Sequence, residues 1–305
     1  MRTTKVFSPN EKNSNSDHII FSIRKLNTAE DFHLAEIAQR EIWGIEDSTE
    51  IVPKDLMIIA QKNGGLALGA YNDSNEMIGV LFGFLGRTAE DHWKHCSHMM
   101  GVLPAYRRIG VGEALKTHQR ELVLNQGVDL ITWTVNPLEG VNASLNFGKL
   151  GAVCRSYDRN FYGDMADGLN RGLPSDRFEV EWWINSPRVE KRLQQKSARP
   201  RLAELQQAGV QLVNSTVMEQ GIRLPQNVNL MMDAPTLLFE VPADFQAVKT
   251  GSMTNALAWI EHTRAIFEAY FHNDYVVSEF ISEPGTGERR NFFILQRGLS
   301  TILVA

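Results

Sequence analysis

The sequence predicts an α/β (α+β) fold, a mixed central sheet with helices on both faces, over residues 18–185. Two observations predict it. Apolar segments of strand length alternate with segments whose apolar residues recur every three or four positions. In addition, an apolar strand at 93–103 leads through a glycine-spaced turn into an amphipathic helix that begins at Val111. Such an order of elements favours a layered sheet covered by helices.

Capping and turn residues delimit the predicted elements. Thr28, a typical N-cap, separates a strand at 19–26 from an amphipathic helix, and Pro53 opens a second short helix. Polar residues 72–75 predict a hairpin turn between strands at 66–71 and 77–85. Gly127 ends the helix that begins at Val111. A strand at 130–135, a helix at 141–150 and strands at 153–161 and 178–184 complete this domain.

Two further regions flank the predicted domain. Residues 1–17 are polar and contain no apolar stretch, so we expect a flexible tail. Residues 186–305 have their own apolar periodicity and predict a smaller C-terminal α+β unit of unknown role. This unit is expected to hold two helices broken by Pro200, a strand at 237–241, a long helix and a final hairpin at 275–296.

The composition limits the classes of partner. A net charge of -5 gives no support to a nucleic-acid partner, which needs a basic face. No apolar run is long enough to span a bilayer, and the two cysteines, Cys96 and Cys154, are too few for a disulfide framework. We therefore expect a cytoplasmic protein with no nucleic-acid, membrane or metal partner.

The turn after the strand at 93–103 is suited to an anion. Arg107 and Arg108 supply positive charge, while Gly110 and Gly112 remove side chains where backbone N–H groups approach anionic oxygens at a helix N-terminus. A loop that only packs closely on the strand is the alternative interpretation.

The spacing of this turn resembles the acyl-CoA signature of the GCN5-related N-acetyltransferase superfamily, within a branch of predicted bacterial and archaeal acetyltransferases. The signature consists of Val102, Pro104, Arg107, Arg108, Gly110 and Gly112, and the strand and helix at 130–152 resemble the next motif of that family. The resemblance implies acetyl-CoA or another acyl-CoA as co-substrate. It places coenzyme A on Gly101, Val102, Leu103, Arg107, Arg108, Ile109, Gly110, Val111, Gly112 and Asn142.

Three residues are candidates for acid–base catalysis. His98 is the nearest base to the signature; strand alternation predicts that it shares one side of the strand with Met100, while His95 and Ser97 point to the other. The family's usual tyrosine acid falls at Phe147, so Tyr157 and Tyr162 are the alternative proton donors. A structural role for each remains open.

The acceptor site is expected in the long loop at 163–176, where Arg171 and Arg177 could clamp a carboxylate or pair with neighbouring aspartates. The predicted function is N-acyl transfer, of an acetyl or succinyl group for example, from acyl-CoA to a primary amine, preferably a small molecule such as an amino acid. A non-catalytic acyl-CoA-binding protein and a protein N-acetyltransferase are the alternatives. A homodimer is one oligomeric state that the sequence leaves open.

Overall fold

The computed structural model describes residues 20–165, 167–194, 199–285, 289–298 and 303. The chain forms two compact units, Met1–Thr132 and Trp133–Ala305. The predicted tail at 1–17 lies outside the described residues. The predicted domain division between residues 185 and 186 stays a prediction.

The first unit is a sheet in the neighbour order β1-β2-β3-β4-β5. Its strands are β1 (Phe21–Lys25), β2 (Leu66–Asn72), β3 (Met77–Arg87), β4 (Trp93–Val102) and β5 (Leu130–Val135), and its helices are α1 (Ala29–Trp43), α2 (Lys54–Lys62) and α3 (Val111–Leu124). The first four strands are antiparallel, whereas β5 runs parallel to β4. The sheet is therefore mixed, as predicted.

Helices lie on both faces of this sheet, which confirms the prediction. Residues of α1 and α2 pack with Val80 and Phe82 of β3 in one buried cluster. Residues of α3 pack with Ile78 and Leu81 of the same strand in another. Leu81 points away from Val80 and Phe82 because successive residues of a strand alternate between faces, and a β-bulge at Ile78 places that residue on the α3 face as well. Thr28 is the N-cap of α1, where its side chain accepts a hydrogen bond from the N–H of Asp31 in a capping box.

The second unit contains a sheet in the neighbour order β7-β6-β12-β13-β11-β8 and a separate hairpin of β9 and β10. Its strands are β6 (Val153–Asp158), β7 (Arg177–Trp183), β8 (Gln211–Leu212), β9 (Asn214–Glu219), β10 (Ile222–Val228), β11 (Thr236–Val241), β12 (Tyr275–Pro284) and β13 (Arg289–Arg297). Its helices are α4 (Gly140–Ala143), α5 (Pro187–Leu193), α6 (Leu202–Gln207), α7 (Phe245–Gly251) and α8 (Met253–His272). The predicted final hairpin and the two helices around Pro200 are confirmed.

Aromatic rings fill the core of the second unit. Phe267 of α8 lies 4.6 Å from Phe178, 5.2 Å from Phe239 and 5.5 Å from Phe293 between ring centroids, with the rings nearly perpendicular. Edge-to-face contacts of this kind add to the free energy gained by burying the rings. The long helix α8 is thereby fixed to the strands of its own unit.

The predicted helix at 141–150 differs from the observed one. Only Gly140–Ala143 is α-helical, and Ser144–Lys149 continues as a π-helix. A π-turn admits an extra residue per turn and rotates the side chains that follow. The predicted strand at 153–161 ends earlier, at Asp158.

Candidate coenzyme A site

The turn between β4 and α3 contains two residues in the left-handed region of backbone space. Arg108 has φ +68° and Gly110 has φ +96°. A Cβ atom at Gly110 would meet nothing within 4 Å, so this position borders open space. Glycine is favoured here because the positive φ strains any other residue, not because a side chain would collide.

Helix α3 begins at Gly110 without a side-chain cap. Helices α2 and α4 also lack a side-chain cap, whereas α1, α5, α7 and α8 begin with capping side chains, from Thr28, Ser186, Asp244 and Ser252. The first N–H groups of a helix have no partner inside the helix and carry the positive end of its dipole. The N-terminus of α3 is therefore a site where an anion can accept hydrogen bonds from the main chain.

The two arginines of the turn differ in what they contact. The Arg107 guanidinium donates from Nε to the carbonyl oxygen of Val102 at 3.1 Å and from Nη2 to that of Ile42 at 3.2 Å. It therefore fixes the turn against β4 and the end of α1. Arg108 is exposed, and its side chain is the better placed of the two to meet a ligand from solvent.

Strand β4 has one open edge beside the turn. Its ladder with β3 extends to Val102, whereas its ladder with β5 covers only His95 and Cys96. The N–H of Leu103 donates to the carbonyl oxygen of Ile78 on β3. Successive N–H groups of a strand point alternately to its two edges, so those of Val102 and Met100 point to the edge opposite β3. The amide of Val102, more than that of Gly101, is thus available to a ligand lying along this edge.

A β-bulge in β4 corrects the predicted placement of His98. Phe82 pairs with Met99, but Phe84 pairs with Cys96, so one extra residue lies in β4. The His98 ring contacts Phe82 edge-on at 6.2 Å, and Met99 packs on the same α1 and α2 face. Met100 packs instead with α3. The prediction that His98 and Met100 share one side was therefore wrong, because strict alternation does not survive the bulge.

His98 nevertheless keeps properties that a general base requires. The residue is exposed on β4, and partial burial of its imidazole lowers the pKa of His98. A lowered pKa keeps the imidazole neutral near pH 7, which is the form that accepts a proton.

Between β4 and α3 lies a chain of buried polar side chains that the sequence analysis did not predict. Lys116 Nζ donates to Ser97 Oγ at 2.9 Å, and Ser97 Oγ lies 3.3 Å from Gln119 Oε1. Gln119 Nε2 in turn lies 3.3 Å from His95 Nδ1. Burial, together with the Lys116 charge, lowers the pKa of His95 to about 4, and burial lowers that of Lys116 well below its usual range. Their helical spacing with Leu115 was the available signal, since positions 115, 116 and 119 share one arc of α3.

Tyr157 and Tyr162, both in the second unit, occupy different environments. The Tyr157 hydroxyl donates to Asp176 Oδ2 at 2.6 Å, and burial, followed by that hydrogen bond, raises its pKa. The Tyr162 hydroxyl lies 2.8 Å from Thr134 Oγ1 at the end of β5, and 46% of the residue is exposed. Only Tyr162 therefore presents its hydroxyl at the surface.

Arg171 and Arg177 do not line one site together. Arg177 is buried and donates to the carbonyl oxygen of Asp176 at 2.8 Å and to Asn170 Oδ1 at 3.0 Å. Arg171 lines a cavity of about 540 Å³ whose other guanidinium is that of Arg264. Arg264 is held by Asp176 through two hydrogen bonds, of 2.6 and 2.8 Å. The pair beside the cavity is thus Arg171 and Arg264, a combination that lies 93 residues apart in the sequence.

The predicted positions Phe147 and Asn142, together with Asn146, lie in or next to the π-helix. Phe147 is fully buried and packs edge-on against Phe178 and Phe293. Asn142 is exposed while Asn146 is buried, so the two do not share a face as a regular helix would require. Asn142 remains accessible to a ligand, and Phe147 belongs to the core.

Glu139 is a further carboxylate of interest, and no motif pointed to it. It follows β5 by four residues, and its Oε1 accepts a hydrogen bond from Gln246 Nε2 at 2.5 Å. Burial raises its pKa. A carboxylate with a raised pKa in a partly enclosed position is a candidate for proton transfer.

Two other kinds of feature are absent from the described residues. None of their helices combines the length and apolar character needed to cross a bilayer. Within the same residues, no three His, Cys, Asp or Glu side chains are grouped so that they could hold a metal ion.

Similar folds occur among solved structures, whereas no protein-family model and no curated protein matches the sequence. A chain of the NatC complex bound to Gag peptide and CoA is 15% identical to this one, with 53% of this chain and 96% of that chain covered and a TM-score of 0.43. The Escherichia coli ribosomal-protein-S18-alanine N-acetyltransferase is 17% identical over 54% of this chain and 94% of its own, with a TM-score of 0.41. A Streptococcus pneumoniae acetyltransferase of the GNAT family is 14% identical over 53% and 98%, with a TM-score of 0.41.

Proposed function

We propose that this protein is an acyl-CoA-dependent N-acyltransferase that moves an acetyl or other short acyl group to a primary amine. The observation that carries the proposal is the turn at 107–112, where an uncapped helix N-terminus follows a strand with one open edge. A thioester-bearing nucleotide needs both features, because its diphosphate is an anion and its pantetheine arm contains amides that pair with a strand edge.

Each part of coenzyme A is assigned a partner. The diphosphate accepts hydrogen bonds from main-chain N–H groups at Val111 and Gly112, and the exposed Arg108 adds charge. The arm lies along the free edge of β4. The thioester carbonyl faces the N–H of Val102, which stabilises the negative charge that develops on the oxygen during attack.

Direct attack needs a neutral amine. A lysine-like amine is neutral in only about one molecule in a thousand near pH 7, so a base improves the rate. His98 is the predicted base. The acceptor amine itself stays a prediction: a small amino acid, the N-terminus of a protein and a lysine side chain all satisfy this chemistry.

Departure of the thiolate benefits from a proton donor, and Tyr162 is the more exposed of the two candidate tyrosines. We expect Tyr162→Phe to lower kcat about a hundredfold with little change in Tm, because only its accessible hydroxyl can protonate a leaving group. Tyr157→Phe is the matched control. It removes one of the hydrogen bonds to Asp176 and is expected to cost about 1 kcal/mol of stability with kcat unchanged. The reverse outcome would exchange the two roles.

The placement of coenzyme A is tested by Gly110→Glu. The new carboxylate would stand where the diphosphate binds, and we expect CoA affinity measured by calorimetry to fall at least about a hundredfold. Gly127→Glu is the matched control, since Gly127 lies just beyond the other end of α3 with φ +75° and equally open surroundings. Equal affinities of both variants would show that the nucleotide binds elsewhere.

Turnover is tested separately by following free thiol with acetyl-CoA or succinyl-CoA and a panel of amino acids, amines and peptides. Release with at least one pair supports the transferase. CoA binding without release from any pair would favour a non-catalytic acyl-CoA-binding protein, the alternative that the buried Phe147 at the usual acid position suggests. A homodimer and a cytoplasmic location stay predictions.

A further inference from the structure

The second unit contains a cavity that the proposed transfer reaction does not use. It has a volume of about 340 Å³, within the range of small-molecule sites. Helix α5 contributes Arg188, Lys191 and Arg192 to its lining, and β12 contributes Glu279. Three cationic side chains thus face one carboxylate around a partly enclosed space.

Arg192 and Glu279 form a buried pair in this lining. Their side chains are 7% and 6% exposed, and Arg192 Nη2 donates to Glu279 Oε2 at 2.5 Å. Arg192 Nη1 donates to the carbonyl oxygen of Gly148 at 2.7 Å. Its Nε is buried and has no hydrogen-bond partner among the described residues. A buried donor left without an acceptor costs free energy, so an additional acceptor here would be stabilising.

Arg188 carries a positive charge that this pair does not neutralise. Its guanidinium donates to the carbonyl oxygens of Gly151 and Ser278, which are uncharged acceptors. Burial lowers the pKa of Arg188, and the Arg192 cation lowers it further, while Glu279 raises it. Two neighbouring guanidinium groups therefore share a single carboxylate. A partly buried cation without its own anion is costly, and a bound anion offsets that cost.

The opposite side of the cavity is apolar. Leu205 of α6, Val210 and Ile294 of β13 contribute hydrocarbon to the lining. Leu205 and Val210 are only partly buried, although they pack against the buried cluster that contains Ile294. A ligand that satisfies both sides must carry an anionic group at one end and hydrocarbon at the other.

We propose that this cavity binds a monocarboxylate with a short hydrocarbon tail, its carboxylate beside Arg188 and Arg192 and its tail against Leu205, Val210 and Ile294. The planar fork of a guanidinium matches a carboxylate, and the negative charge of that carboxylate offsets Arg188, the guanidinium that the Arg192–Glu279 pair does not neutralise. Inorganic phosphate offers the charge without the tail and leaves the apolar wall exposed to water.

The test is calorimetry on the full chain with hexanoate, hexanol and inorganic phosphate as probes. We expect hexanoate to bind at least about tenfold more tightly than either of the others, since a hydrogen bond to a charged group and burial of the tail each contribute about that factor. Tighter binding of phosphate, or equal binding of hexanol, would overturn the proposal.

Two variants locate the binding. Arg188→Gln removes the charge, and Val210→Trp fills the apolar side without altering any charge; each is expected to weaken hexanoate at least about tenfold. Arg155→Gln, which removes an exposed arginine paired with Glu181, is the control and should bind as the native chain does. Circular dichroism verifies folding of each variant. If hexanoate binds Val210→Trp with unchanged affinity, the cavity is not its site.

This site is independent of the coenzyme A proposal. Gly110→Glu, which lies in the other unit, should retain full affinity for hexanoate. Loss of hexanoate binding in that variant would place the carboxylate at the thioester site and would overturn the inference, whatever the outcome for CoA.

Discussion

Helix α3 of the first unit and helix α8 of the second differ in how they begin and in which side chains they bury. Helix α8 starts at Ser252, whose side chain caps the N–H of Asn255, and it buries Trp259, Phe267 and Tyr270. Helix α3 starts at an uncapped Gly110 and buries Lys116 and Gln119 among its apolar residues. A cap contributes about 1 kcal/mol, and buried rings contribute several. Helix α3 therefore lacks a stabilising cap at the end where an anion can bind, whereas α8 has both a cap and buried rings.

The largest change in stability is expected for a substitution in α8. We expect Phe267→Ala to lower the free energy of unfolding in urea by about 3–5 kcal/mol, because it leaves a cavity among Phe178, Phe239 and Phe293. Leu257→Ala on the same helix is the matched control. Leu257 is 37% exposed, and its truncation should cost only about 0.5 kcal/mol. Similar losses for both variants would mean that the aromatic cluster does not dominate this core.

A smaller change in stability, which depends on pH, is expected from His95, whose ring contacts Gln119 of α3. His95 is buried and neutral, with a pKa of about 4 against about 6.5 in the unfolded chain. The unfolded state therefore binds the proton first as pH falls, and stability is lost between about pH 6.5 and 4, by about 3 kcal/mol in total. His95→Asn keeps an acceptor near Gln119 but does not titrate in this range. We expect the native chain to lose that much more stability than His95→Asn between pH 7 and pH 4.

Urea unfolding at several pH values measures this difference directly. Parallel pH profiles for the native chain and His95→Asn would contradict a neutral, buried His95. Other groups that titrate in the same range, His262 among them, contribute equally to both proteins and cancel in the comparison.

Much of the fold could be predicted because local signals and tertiary packing agree. The cap at Thr28, the hairpin turn at 72–75 and the strand, turn and helix around Gly110 all lie where residue type and periodicity predict them. The hairpin of β9 and β10 was not predicted, since its strands contain polar residues and Pro225 and have little burial. Its pairing depends on contacts that no short-range pattern shows.

The main-chain geometry of the turn at 107–112 could be predicted from the sequence. The predictions failed where one extra residue shifts a strand register or a helical turn. The bulge in β4 moved Met100 to the α3 face, and the π-helix at 144–149 separated Asn142 from Asn146. Neither irregularity has a distinctive residue type. The buried pairing of Arg192 with Glu279 spans 87 positions, and such long-range partners cannot be read from spacing.

Arg107 and Gly101 connect the beginning of the chain to the turn. Arg107 holds the carbonyl oxygens of both Val102 and Ile42, and the missing side chain at Gly101 leaves room for the Trp43 ring, 2.8 Å from where a Cβ would stand. Any rearrangement of the loop that follows β4 is therefore expected to move the last turn of α1. The Trp43 indole lies at this contact, so its fluorescence is expected to change if a ligand binds to the loop and displaces it.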